Sequence, residues 1–320
     1  MGVPGTLGYT SILNMSLADI ARKILPADAV AYIARARRNA RKARIYQQPA
    51  LTEADFLEIL RNELGITSGS TVYVSSSIDQ LNLDFPFYKI LYLIQDVIGH
   101  KGNVLFPTYP NRSPVSSYEY LLQGHIFNIR KTPSYTGLLS EFARRQPNAV
   151  RSLHPTKSVC AIGPDAVELT RNHQDSPYPY DTNSPYYKLI DFRAIVVGIG
   201  VWTEYMSFGY TIDDAMKDNP PVLTYHPQIF SAKCINYIGE TETVETYAHN
   251  MQNVVHGAPR FMKEHIPPEI CRDMTINGMK FFRADARRLF EEMLRLAKIG
   301  ITIYPRNLYS KEFLQTQPLQ

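Results

Sequence analysis

The chain has 320 residues, room for one large domain or two modest ones, and its 44% hydrophobic content is ordinary for a packed globular core. No apolar run is long enough to span a membrane, and Met1 to Ser16 has neither the basic leader nor the apolar core of a signal peptide. The net charge is only +4, and three cysteines (Cys160, Cys234, Cys271) form no CxxC pair. That usage argues against a zinc site or a disulfide framework and makes a reducing cytoplasm the simplest location.

Residues 1–48 read as a helical appendage. Ser16 is expected to cap a short helix from Leu17 to Leu25, ended by Pro26, and Asp28 to cap the next. Six of the ten residues from Arg35 to Arg44 are basic (Arg35, Arg37, Arg38, Arg41, Lys42, Arg44). Residues 28–45 are therefore expected to form a basic helix that meets an anionic inner membrane face or a partner. No aromatic platform accompanies the charge, so nucleic acid is not an expected partner.

The main domain is expected over 49–320. Thr52-Glu-Ala-Asp55 looks like a capping box opening a helix to Leu64. A strand from Ser70 to Val74 opens into Ser75-Ser76-Ser77. A helix from Pro86 to Ile98 and a strand from Asn103 to Pro107 follow, the pattern of a parallel α/β sheet. Residues 108–136 read as a long functional loop with a short helix near 115–123. Next come a helix over Thr136–Arg145, a strand over Val159–Gly163, and a helix from Pro164-Asp165 to Asn172. A loop over 175–185 precedes a strand over Ala194–Gly198 and alternating strands over 224–238. Helices are expected over 242–251 and 284–297, with a strand over Met279–Arg283.

Several motifs carry chemistry. His154 sits in Arg151-Ser-Leu-His-Pro-Thr-Lys-Ser158, where the following proline biases it toward extended backbone. A fixed imidazole in such a turn suits general-base chemistry, and equally a satisfied structural histidine. The small residues Ser75, Ser76 and Ser77 at a strand end let backbone and hydroxyl groups approach a phosphate or pantetheine chain. Lys131, Thr132, Pro133 and Ser134 lead to a helix start, a combination that favours an anion. Gly198-Ile-Gly200 lacks a third glycine, so it is a weak dinucleotide fingerprint. Asp213 and Asp214 lie among apolar and aromatic residues, where one of them can orient a histidine. The eight histidines show no metal-ligand spacing.

Taken in order, Val74-Ser-Ser-Ser-Ile78, Gly102-Asn-Val-Leu-Phe-Pro-Thr108, Thr132-Pro-Ser-Tyr-Thr-Gly137, Arg151-Ser-Leu-His-Pro155, Ala161-Ile-Gly-Pro164, Asn183-Ser-Pro-Tyr-Tyr-Lys-Leu189 and Val197-Gly-Ile-Gly200 resemble the aminoglycoside 3-N-acetyltransferase (antibiotic N-acetyltransferase) family. The resemblance runs over about residues 52–300. It implies a three-layer α/β/α sandwich distinct from the GNAT fold, and an N-acyltransferase that uses acetyl-CoA or another acyl-CoA and no metal. It also implies His154 as general base, supported by the acid of a family motif that reads T-F-x-H-x-x-E. Here that stretch is Ser207-Phe-Gly-Tyr-Thr-Ile-Asp213, with Asp213 for the glutamate and Tyr210 for the histidine. Many members also carry a histidine where this chain has Lys157. The cofactor is expected along Ser75–Ser77 and Lys131–Ser134, and the amine acceptor near Tyr109, Tyr210 and Asp214.

The mild basic charge favours an amino sugar on a nucleotide or lipid diphosphate, as in polysaccharide synthesis, over a polycationic aminoglycoside. The alternatives are an aminoglycoside acetyltransferase conferring resistance and a non-catalytic binding or scaffold protein on the same fold. A homo-oligomer is a further expected partner. A hydrolase is weaker, because no GxSxG elbow is present.

Overall fold

The structure is a computed structural model that describes residues 27–253 and 257–316. The expected helix at Leu17–Leu25 lies outside them. Among the described residues the strands are β1 Thr71–Ser76, β2 Asn103–Pro107, β3 Phe127–Asn128, β4 Val150–Arg151, β5 Val159–Ile162, β6 Ile195–Ile199, β7 Tyr225–Ile235, β8 Thr241–His249, β9 Cys271–Ile276 and β10 Met279–Asp285. Seven of them form one sheet in the order β4-β5-β2-β1-β6-β10-β9, and β3-β7-β8 form a second.

The expectation of a parallel sheet holds only at its centre. β2, β1 and β6 are parallel, with Thr71 opposite Asn103 and Ser75 opposite Gly198. β5 and β10 join this trio antiparallel, and β4 and β9 extend the edges antiparallel. Tight turns such as Asn277-Gly278, with Asn277 at φ 47° and Gly278 at φ 74°, permit these local pairings.

Alternation along the central strands builds two cores. Tyr73, Leu105, Ala161, Val196 and Phe282 face one side, against the helices Pro185–Asp191, Ala258–His265 and Ala286–Lys298. Val72, Val74, Val104, Phe106 and Val197 face the other, against Glu53–Glu58, Lys89–Ile98 and Leu138–Arg144. The result is the expected three-layer α/β/α arrangement. The Thr52 capping box is present, and its helix runs on into a π-helical turn at Ile59–Glu63.

Two elements depart from expectation. Residues 242–251 were expected as helix, but Thr241–His249 is a strand paired antiparallel with β7. The stretch alternates, with Val244, Thr246 and Ala248 buried, and the long β7 partner settles its conformation. The basic helix exists as Ala27–Ile45, but it is less separate than an appendage ending at residue 48 implies. Ile45 is buried in the core, Arg38 pairs with Asp79, and Asn82 donates to the carbonyl of Gln48. Among the described residues no helix is long and apolar enough to cross a membrane.

Gly198 and Gly200 have a steric purpose. A Cβ at Gly198 would stand 2.1 Å from Cδ1 of Phe282. Gly200 has φ +78°, and a Cβ there would stand 2.3 Å from the Ser77 carbonyl oxygen. Gly198 thus makes room for the Phe282 ring of β10, and Gly200 lets the end of β6 close on the end of β1.

Candidate active site

The His154 segment is the turn between β4 and β5. Arg151 at its base is 3% exposed and fans its guanidinium over one neighbourhood. It donates to Ser158 Oγ at 2.9 Å, Thr108 Oγ1 at 3.2 Å, and the carbonyls of Thr108 and Thr132 at 2.5 Å each. These bonds tie the long 108–136 segment to the turn.

His154 itself is fully buried. Its Nδ1 accepts the backbone N–H of Thr156 at 3.2 Å and of Lys157 at 3.0 Å. Two donors at Nδ1 leave the ring proton on Nε2, which faces Thr246 Oγ1 of β8 at 3.3 Å. The ring lies 4.4 Å, centroid to centroid, from His173, whose Nε2 reaches the Pro179 carbonyl. Burial, then the neighbouring His173 and Lys157, hold His154 well below the usual histidine range.

Both nitrogens of His154 are thus engaged in this structure, and Asp213, expected beside it, is not among their partners. Asp213 accepts from the Tyr304 hydroxyl at 2.5 Å instead, and lines a cavity with Gly209, Ile212, Phe261, Met293 and Tyr304. Burial pushes its carboxyl up to about 7, against the hydrogen bonds from Tyr304 and Thr224. Asp214 accepts from Tyr225 Oη at 2.6 Å and from the Tyr180 N–H at 2.7 Å, so both its oxygens serve the fold. Burial raises it to about 8.

Between the His154 turn and these acids stands a cluster of tyrosines. Tyr109 and Tyr186 share a 2.6 Å hydrogen bond, and Tyr186 packs on Tyr180 at 4.5 Å. Tyr210 lies 5.4 Å from Tyr180 and 4.8 Å from His249, and Tyr225 stacks on His249 at 4.6 Å. Tyr210 also borders a second cavity with Thr203, Glu204, Met206 and Met293. Of the expected acceptor residues, Tyr109 and Tyr210 thus belong to one neighbourhood, whereas Asp214 is committed to the tyrosines around it.

The expected cofactor residues divide. Ser75 donates to the Tyr205 carbonyl at 3.2 Å and Ser77 to Asp79 at 2.7 Å. Ser76 keeps a buried hydroxyl with no partner among the described residues. In the 131–137 segment Lys131 and Pro133 are exposed and Thr132 Oγ1 accepts the Asn128 N–H. The Ser134 N–H, expected to greet an anion, already donates to Glu141 at 2.8 Å. Despite its burial, hydrogen bonds from Arg144, Ser134 and Arg145 hold Glu141 at about 2, so a carboxylate of the chain itself fills that position.

A family model described as "Aminoglycoside 3-N-acetyltransferase" matches residues 85–297. The chain belongs to this family. Its curated relatives include aminoglycoside N(3)-acetyltransferase III from a Salmonella species, 30% identical over 144 residues, which are 41% of this chain and 47% of that protein. Another is aminoglycoside N(3)-acetyltransferase IX from Micromonospora chalcea, 31% identical over 160 residues, 45% of this chain and 56% of that protein. The chain thus spans about half the length of the curated relatives it matches. Among solved structures, aminoglycoside acetyltransferase AAC(3)-Xa superposes with a TM-score of 0.65 at 18% identity, over 84% of this chain and 99% of that one. AAC-IIIb in binary complex with CoASH superposes at 0.64 with 16% identity, over 79% and 98%. These likenesses confirm the antibiotic N-acetyltransferase fold.

Within this family member, several site residues escaped the sequence reading. Thr246, His173, His249 and Tyr304 lie 19 to 92 residues from the groups they touch, and no local spacing marks them. Arg151 and Lys157 stood inside the motif, but only folding shows where their charges point.

Proposed function

We propose that the protein is an acetyl-CoA-dependent N-acetyltransferase acting on the amine of an aminoglycoside or a related amino sugar. Family membership supports the class. The curated relatives are aminoglycoside acetyltransferases, and one structural neighbour is described as bound to sisomicin. They favour an aminoglycoside-like acceptor over a sugar of polysaccharide synthesis. The observation that carries the residue assignment is Asp213, a cavity-lining carboxyl that titrates near neutrality.

Acetyl-CoA supplies the activated thioester. Ser76, with its unpartnered hydroxyl, and exposed Lys131 are the residues that fit it. Asp213, whose carboxyl burial pushes up to about 7, takes the proton of the attacking amine. Tyr304 Oη and Thr224 hold that carboxylate in place. As the nitrogen bonds to the acetyl carbon the C–S bond breaks, and the departing thiolate would take up the proton that Asp213 accepted. His154 keeps the turn in shape through Thr156, Lys157 and Thr246.

Thiol release from acetyl-CoA with sisomicin or a simpler amino sugar tests this reading. Turnover that falls by about 10²–10⁴-fold in Asp213→Asn supports it. Acetyl-CoA that binds without any amine-dependent thiol release would favour the scaffold alternative.

A further inference from the structure

Lys157 follows the His154-Pro155 turn, and its ammonium stands over the Tyr109 ring, 4.8 Å from the centroid. The side chain is partly buried. Among the described residues it has no carboxylate partner and donates no hydrogen bond. Other sheltered lysines are satisfied. Lys280 reaches Glu204 at 2.9 Å, Lys217 reaches Asp181 at 2.8 Å, and Lys188 donates to the carbonyls of Glu168 and Arg171.

The surroundings of Lys157 are poor in acceptors. His249 is near enough for the Lys157 charge to depress it, and its Nε2 is buried without a partner. Tyr180, packed against His249, keeps an unpartnered buried hydroxyl. Neither Asp213 nor Asp214 serves Lys157, because Asp213 is turned to Tyr304 and Asp214 to Tyr225 and the Tyr180 N–H. Burial lowers the Lys157 ammonium to about 8, which leaves it cationic at neutral pH. A sheltered cation without a counter-charge is costly, and a neighbourhood of one cation with unused hydrogen-bonding groups is complementary to an oxyanion.

We propose that Lys157 is a specificity residue that pairs with a phosphate or carboxylate on the amine acceptor, so that the preferred acceptor is an amino sugar bearing an anionic group. The inference rests on the N-acetyltransferase reading and narrows its substrate class. The phosphates of CoA are the rival source of the same oxyanion chemistry, and the test separates the two.

Glucosamine 6-phosphate, glucosamine and sisomicin serve as acceptors in the thiol-release assay, with CoA affinity measured alongside by calorimetry. The wild-type kcat/KM is expected to favour glucosamine 6-phosphate over glucosamine by about tenfold or more, the size of one charge-assisted contact. In Lys157→Gln that ratio falls to near one, chiefly through KM, and CoA affinity does not change. A wild-type ratio near one, a ratio that survives in Lys157→Gln, or a loss of CoA affinity instead would each overturn the proposal. If no amine is acetylated, the enzyme reading fails separately. Titration of glucosamine 6-phosphate onto the CoA-bound protein then decides. Affinity weakened tenfold by Lys157→Gln upholds the anion site, and absent or unchanged binding removes it.

Discussion

Replacing His154 separates a structural from a chemical role. In His154→Ala the backbone N–H groups of Thr156 and Lys157 lose their common acceptor. Each stranded buried donor costs about 1–3 kcal/mol, so the variant is expected to lose about 2–6 kcal/mol of stability. The lost ring contact with His173 adds to this. In His154→Asn the amide Oδ1 falls where Nδ1 was and keeps both N–H groups paired. The Asn variant should therefore be more stable than Ala by about 2 kcal/mol or more, and should melt higher by on the order of 5 °C. Denaturant unfolding and thermal melting measure the first difference, and thiol release measures the second. With Asp213 as base, folded His154→Asn keeps transfer within about tenfold, well short of the 10²–10⁴-fold that loss of a general base costs. A His154→Asn protein that melts like wild type yet loses more than a hundredfold in turnover would refute this reasoning and restore His154 as the base.

Three further outcomes follow from the same geometry. The kcat/KM profile should rise through an apparent pKa of about 7 as Asp213 ionises, and a flat profile from pH 5.5 to 8.5 would remove Asp213 from proton transfer. Burial raises Asp214 to about 8 from the ordinary 3.8 of a free aspartate, so the folded state retains a proton that the unfolded chain releases. Its stability contribution is therefore full below pH 3.8 and is lost as pH rises through 8. Asp214→Asn should accordingly gain melting temperature over wild type between pH 5 and pH 9, and a constant difference across that range would contradict the assignment. Gly200→Ala forces a left-handed backbone on alanine and presses its Cβ on the Ser77 carbonyl, so it should cost about 2–4 kcal/mol in denaturant unfolding. A loss below 0.5 kcal/mol would show that the strand ends can part.

The central layers were legible because their signals are local. Val72 and Val74 alternate with Tyr73, the Lys89–Ile98 helix shows a buried stripe, and the Thr52 box announces its own helix. β8 was misread because Thr241-Glu-Thr-Val-Glu-Thr-Tyr-Ala-His suits either period at a glance, and only the ladder with β7 settles it. The antiparallel edges were missed for the same reason, since strand direction is a property of partners. The motif order pointed to the right family. It did not show that His154 spends both nitrogens on the fold, because Thr246 lies 92 residues away. It also did not show that Glu141 fills the anion position at Ser134, which depends on how the 131–137 segment wraps back on its own helix.

The β7–β8 hairpin is fastened near both ends to the same edge of the large sheet. Thr246 meets His154, while at the turn the Tyr237 hydroxyl accepts the Arg151 N–H at 2.6 Å and its carbonyl receives the Arg130 guanidinium. A flap moves about one attachment, but a strip held at two points can only bow. The hairpin is thus a fixed jaw of the site. Under the proposed function an acceptor would meet, on that side, a contour set before it arrives.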